Sequence, residues 1–139
     1  MGTPISPDMA CRLRSVGDPS LSPQGSHVAY TYSWFDQERM ESLSQIMMLD
    51  LAAGRAEEFT QGPKDTSPRF APDGTALGFL RPDEEGRKQL WVMAAGGGEA
   101  RRVTAMPRGV QDFSWSPDAR QLVICADVDL DEPSEEEKT

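Results

Sequence analysis

A repeat with a period in the mid-forties constrains this chain more than any other feature. Leu21-Ser22-Pro23-Gln24-Gly25, Phe70-Ala71-Pro72-Asp73-Gly74 and Trp115-Ser116-Pro117-Asp118-Ala119 share one pattern: apolar, small, Pro, polar turn residue, small. Their prolines stand 49 and 45 residues apart. A second pair of landmarks repeats at an offset of 44: Gln45-Ile46-Met47-Met48-Leu49 against Gln89-Leu90-Trp91-Val92-Met93, and Glu58-Phe59-Thr60 against Arg102-Val103-Thr104. A period of roughly 40–45 residues is that of a four-stranded propeller blade.

Each unit reads as β-structure. Pro-Asp-Gly suits a tight turn, because Pro presets φ, Asp bonds its own backbone and Gly accepts positive φ. The runs after the turns, Val28 to Tyr32, Ala76 to Leu80 and Leu122 to Cys125, are rich in β-branched and aromatic residues and read as second strands. Ile46 to Leu49 and Leu90 to Met93 are apolar at consecutive positions, the pattern of third strands covered on both faces. Ala53-Gly54 and Gly96-Gly97-Gly98 turn the chain into fourth strands. A Gly run can cradle phosphate only before a helix N-terminus, and here Arg101-Arg102 of a short strand follows, so a plain turn is expected. Gln24 and Ala119 depart from the Asp and Gly of the turn and should loosen it.

The expected fold class is all-β: an incomplete β-propeller of two four-stranded blades plus half of a third, preceded by a short N-terminal helix. The expected organisation is a leader over 1–17, blade 1 over 18–62, blade 2 over 63–107, the first half of blade 3 over 108–126, and an acidic linker or insertion over 127–139. In the leader, Ser6-Pro7-Asp8 has the form of an N-cap, Met9 and Leu13 lie at i and i+4, and Gly17 can end the helix. The polar stretch between Trp34 and Ser44, with Asp36, Glu38, Arg39 and Glu41, is expected to be a long solvated loop.

Charge and cysteine usage bound the function classes. The formal charge is −9, from 14 Lys plus Arg against 23 Asp plus Glu, which disfavours nucleic acid. Seven of the acids, with one Lys, lie between Asp127 and Thr139. Cys11 and Cys125 have no metal-type spacing and fit thiols in a reducing compartment. No window approaches the roughly 18 apolar residues of a membrane span, and no basic-then-apolar leader is present, so the expected setting is cytoplasmic. Met1 to Ser6 fits a loose myristoylation pattern, but an ordinary start is the expectation.

No catalytic, cofactor-binding or metal-binding residue is assigned. His27 is the single histidine and stands just after a turn, with no Gly-x-Ser-x-Gly elbow in the chain to serve. One His and two isolated Cys give no tetrahedral metal set. Asp127, Asp129 and Asp131 imitate the start of a calcium loop, but Glu132 stands where Gly is needed and Lys138 where Glu is needed. Trp91 and Trp115 fall inside repeat strands, where they should pack into the core; Trp34, at a strand end, is the one placed to face a channel.

Arg12-Leu13-Arg14-Ser15-Val16-Gly17-Asp18-Pro19 followed by Leu-Ser-Pro-x-Gly resembles the opening of acylaminoacyl peptidases of the prolyl oligopeptidase family. Gly62 to Phe70, Gly97 to Thr104 and Phe113 to Asp118 are similar to that family's propeller, and the likeness spans nearly all of residues 6–139. The resemblance implies a parent serine exopeptidase or oligopeptidase whose propeller gates short peptides to an α/β-hydrolase domain. That domain's Ser, Asp and His are not in this chain, which is therefore expected to be an inactive fragment. The implied partners are the remaining blades, the hydrolase domain and short peptides, and open blade edges would permit self-association. The alternative is a non-enzymatic propeller of the Tol-system kind that binds a protein or peptide.

Overall fold

A computed structural model describes residues 14–128 of the chain. Strands β1 (Arg14–Leu21), β2 (His27–Asp36), β3 (Glu41–Asp50) and β4 (Arg55–Glu58) form one antiparallel sheet in that order. Strands β5 (Thr66–Phe70), β6 (Ala76–Pro82), β7 (Lys88–Ala94) and β8 (Arg101–Arg102) form a second sheet of the same order, and β9 (Asp112–Trp115) pairs with β10 (Leu122–Cys125). The architecture is an incomplete β-propeller: two four-stranded blades and half of a third.

The repeated Pro turns build all three first hairpins by one scheme. Ser22 N–H donates to His27 O, Ala71 N–H to Ala76 O and Ser116 N–H to Gln121 O, while Gly25, Gly74 and Ala119 close the turn onto residues 22, 71 and 116. Gly25, Gly74 and Ala119 all take positive φ, at 72°, 76° and 61°. The two departures from the pattern are compensated differently. At the first turn Ser22 Oγ accepts the N–H groups of Ser26 and His27, where Asp73 accepts that of Thr75 in the second. At the third, Asp118 Oδ1 still accepts Arg120 N–H, so Ala119 is held in the left-handed region that Gly fills elsewhere.

Strand alternation then distributes the core between two blade junctions. Leu77 and Phe79 of β6 point to blade 1 and join Ala29, Ile46 and Met93, with Met48, Phe59, Phe70 and Trp91 packed on them. Leu80 of β6 points the other way and joins Leu90, Met106, Val110 and Phe113, beneath Trp115, Leu122 and Ile124 of the third hairpin. Each fully buried Leu, Ile or Phe here contributes about 1.5–3 kcal/mol of transfer free energy. Because the middle strands feed both junctions, β7 is buried at Gln89, Leu90, Val92 and Met93, as its continuous apolar run requires.

Three expectations are corrected. Gly17 does not end a helix: it lies in β1 opposite Thr31, and the chain is extended from Arg14, which pairs with Trp34. Main-chain pairing with β2, and the Arg14 guanidinium on the Tyr32 ring and hydroxyl, stabilise this stretch more than an isolated turn of helix could. The rest of the expected helix lies outside the described residues. The stretch from Trp34 to Ser44 is not a long loop, since β2 and β3 stay in register from His27↔Asp50 to Asp36↔Glu41 and residues 37–40 alone turn. Asp36 Oδ1 holds that turn by accepting the N–H groups of Glu38 and Arg39, with Met40 at φ 54°. Trp34 consequently sits inside a strand, 5.9 Å from the Tyr32 ring.

Candidate functional site

In a propeller the first strand of each blade faces the central axis. Here β1, β5 and β9 are those strands, and the two that head four-stranded sheets carry the same defect. The β1–β2 register shifts between Gly17 and Ser20, and the β5–β6 register between Thr66 and Arg69. Asp18 and Ser67 stand at these bulges with φ of 50° and 56°, each directly before a proline and each five residues before its turn proline. Non-Gly residues in this region carry strain that the surroundings must hold, and such positions cluster at functional sites.

One buried hydroxyl holds both bulges. Thr31 Oγ1 donates to Asp18 Oδ2 at 3.2 Å and accepts Ser67 N–H at 3.3 Å, so it ties the inner strand of blade 1 to that of blade 2. Nearby, Phe70 N–H donates to Ser20 Oγ at 3.2 Å. The next junction is held by Arg69, which pairs with Asp112 at 2.8 Å, donates to the Phe113 carbonyl and lies 5.2 Å over the Phe113 ring. Trp115 Nε1 donates back to the Arg69 carbonyl at 3.0 Å.

These contacts leave a cleft of about 460 Å³ along the axis side, walled by Asp18, Ser20, Ser67, Arg69, Ser114 and Trp115, with Pro19, Pro68 and Pro72. The wall offers a carboxylate, hydroxyls and a guanidinium but no nucleophile joined to a base. Such a wall can contact and orient a polar chain.

His27 gives the nearest approach to catalytic geometry. Its Nδ1 lies 2.8 Å from Ser26 Oγ and its Nε2 3.9 Å from Asp50 Oδ2. A hydrolytic triad needs the reverse, with Nε2 on the serine and Nδ1–H on the acid. The N–H groups of Ser26 and His27 are also spent on Ser22 Oγ, so they do not form an oxyanion hole. Gly96 to Gly98 form the turn between β7 and β8. Trp91 and Trp115 are half-buried between blades, and Trp34 is half-buried within β2. Asp127 Oδ2 accepts from Gln111 Nε2 at 2.7 Å, while Asp129 and Asp131 lie outside the described residues. Cys125 is exposed, and Cys11 lies outside the described residues.

Sequence reasoning passed over Asp18, Thr31, Ser67, Asp65 and Arg81. Asp65 is fully buried and accepts Arg81 Nε–H at 2.7 Å, Arg81 Nη2–H at 3.1 Å and Gly62 N–H at 3.1 Å. The Arg81 guanidinium is stacked against Trp91 at 4.7 Å and Phe79 at 5.1 Å. Gly62 is required here, since its φ is 75° and a Cβ would stand 2.5 Å from Ser44 O. The segment Gly62-Pro63-Lys64-Asp65 is thus the anchor between the blades.

Fold and axis-side cleft together define part of a β-propeller whose inner strands line a polar cleft. The chain belongs to the TolB β-propeller domain family, whose model matches residues 10–131. Over 121 residues it is 36% identical to an uncharacterized peptidase, YuxL, of Bacillus subtilis, covering 86% of this chain and 18% of that protein. Over 127 residues it is 30% identical to dipeptidyl-peptidase 5 of Porphyromonas endodontalis, covering 91% of this chain and 18% of that protein. Among solved structures, the acylaminoacyl peptidase of Pyrococcus horikoshii shares the fold with a TM-score of 0.69 at 23% identity, over 86% of this chain and 19% of that one. The chain therefore spans less than a fifth of the length of these peptidases.

Proposed function

We propose that this chain forms blades of a propeller that covers the active site of a serine peptidase, admitting short peptides along its axis to a hydrolase domain elsewhere in the parent protein. The filter is steric, set by the rigid inner strands. The observation that carries this reading is the Thr31 bridge, which fixes two strained bulges on the axis-side wall of a polar cleft while leaving no catalytic pair there. The peptidase relatives at 36% and 30% identity support it.

Translating the reading frame past the Thr139 codon tests the proposal. Further mid-forties repeats followed by a Gly-x-Ser-x-Gly elbow are expected, and the parent enzyme should cleave short peptides while sparing folded proteins. Blades without a hydrolase domain would leave the second reading, a binding propeller of the kind the family's name describes. The 139-residue chain by itself should not hydrolyse an acylated amino-acid anilide; turnover abolished by a serine-directed inhibitor would refute that.

A further inference from the structure

Blades 1 and 2 have four strands and the third has two: β9 pairs with β10, and no strand among the described residues lies along the other edge of β10. The bonds that close this hairpin show which groups the edge presents. Ser116 N–H donates to Gln121 O and Gln111 N–H to Cys125 O, so the main-chain groups of residues 121, 123 and 125 point to β9. Leu122 and Ile124 therefore turn their N–H and C=O groups to the open side, where they form a template for a further strand.

The complete blades show what fits there. Leu122 stands five residues after its turn proline, in the place of Val28 and Leu77, and Ile124 stands in the place of Tyr30 and Phe79. Val28 pairs with Leu49 and Tyr30 with Met47; Leu77 pairs with Met93 and Phe79 with Trp91. Two residues on, Tyr32 and Arg81 pair with Gln45 and Gln89, and Ala126 has their place in blade 3. Directly paired residues share a face, so strand partners of Leu122 and Ile124 lie over blade 2, beside the core of Leu80, Leu90 and Phe113. The floor is open too. At the first junction Phe59 packs on the core that holds Met93 and Trp91, whereas Val103, its equivalent 44 residues later, is 43% exposed.

Both third strands share a sequence, a glutamine followed by four apolar residues: Gln45 to Leu49 and Gln89 to Met93. Residues 126–139 do not match it, since they hold no glutamine and seven acids. The connection between second and third strands is residues 37–40 in blade 1 and 83–87 in blade 2. We propose that residues 126–139 are an acidic insertion at the corresponding place in blade 3, and that a segment further along the parent protein completes the sheet. That segment is a glutamine followed by four apolar residues, antiparallel to β10, with its third residue opposite Ile124 and its fifth opposite Leu122. Main-chain hydrogen bonds carry the affinity in strand addition and side-chain pockets the specificity, so the edge also takes such a strand as a separate peptide. The inference rests on the chain being part of a larger propeller protein and is independent of gating.

The probe is a synthetic peptide with the sequence of residues 86–94, added unlabelled to the isotope-labelled 139-residue chain and followed by amide NMR. Saturable shifts of the Leu122 and Ile124 amides are expected, with Kd on the order of 0.1–1 mM. At a peptide concentration about ten times Kd, hydrogen exchange at these two amides should slow about tenfold, while Val123 and Cys125, already turned to β9, keep their rates. Methylating the main-chain nitrogen of the peptide's tryptophan removes the donor that meets Ile124 and should abolish binding. Val103→Asp should weaken binding about tenfold with an unchanged far-ultraviolet circular dichroism spectrum. No shift at Leu122 and Ile124 up to about 10 mM peptide, or equal binding of the methylated peptide, overturns the proposal. In the parent reading frame, a Gly-x-Ser-x-Gly elbow with no such glutamine segment ahead of it would overturn the strand and leave the gating standing; the segment without an elbow would do the reverse.

Discussion

Replacing Asp65 by Ala should destabilise this chain more than most single substitutions. The carboxylate is fully buried and receives three hydrogen bonds, two from Arg81 and one from Gly62 N–H. Removing one partner of a buried pair costs about 3–5 kcal/mol, because the other charge stays behind unpaired. Arg81 keeps 27% of its side-chain surface in solvent, so water recovers part of that penalty and the lower end, about 3 kcal/mol, is expected. Against a total stability of about 5–15 kcal/mol this is a large fraction. With a urea m-value of about 1–3 kcal/mol/M, the unfolding midpoint should fall by about 1–3 M. Arg81→Leu in the same background removes the stranded charge and keeps an apolar contact on Phe79 and Trp91, so the double variant should be more stable than the sum of the single losses, by about 1–3 kcal/mol. A midpoint shift under about 0.3 M for Asp65→Ala, or strictly additive losses, would refute the argument that this pair fixes the segment between the blades onto β6.

Two further outcomes follow from the turns. Ala119→Gly relieves a side chain held at φ 61°, and the gain of about 1–2 kcal/mol less the extra entropy of Gly leaves up to about 1 kcal/mol of stabilisation, read as a raised urea midpoint at unchanged m; a lowered midpoint would contradict it. The carboxyls of Asp73, Asp83 and Asp118 are held below the ordinary 3.8, chiefly by the Thr75 hydroxyl, the Arg87 N–H and the Ser116 hydroxyl respectively. A carboxyl depressed in the folded state adds stability that is complete above the unfolded pKa and lost as pH falls through the folded one. Stability should therefore hold down to about pH 4–5 and drop below 3.8, and Asp118→Asn should flatten the acid limb of a pH series followed by circular dichroism.

The sequence carried the fold wherever chemistry repeats. Three Pro turns announced three hairpins, and the apolar runs of the third strands announced burial on both faces, because turn type and periodicity are local properties. The long hairpin of β2 and β3 was hidden because Asp36, Glu41 and Ser42 are polar at its solvated end, and charge says nothing about whether the backbone beneath is paired. The leader was misread for a related reason: Arg14 to Gly17 gain their partner from residues 31–34, at a distance no window covers. The axis-side cleft was harder still. Asp18 and Ser67 are ordinary loop residues by type, and their shared offset from the turn prolines acquires meaning once Thr31 is seen between them.

The blade junctions explain why the repeat is imperfect. Ala29, Gly78 and Val123 occupy the same place, six residues after each turn proline, and Pro19, Pro68 and Phe113 share the place four residues before it. At Gly78 a Cβ would come within 2.8 Å of the Phe113 ring, so the hairpin that brings the bulky Phe113 requires the blade before it to give up a side chain. At the first junction Ala29 and the smaller Pro68 are both buried, and no such concession is made. Sequence drift at one of these places is therefore tied to the other across a junction, in blades about 45 residues apart. Val123 is 63% exposed, and a blade stacked on it would meet a larger residue than Phe113 met, which favours a small side chain at the opposing place. The period thus survives in the turns, where each blade answers to itself, and is lost at the junctions, where each blade answers to its neighbour.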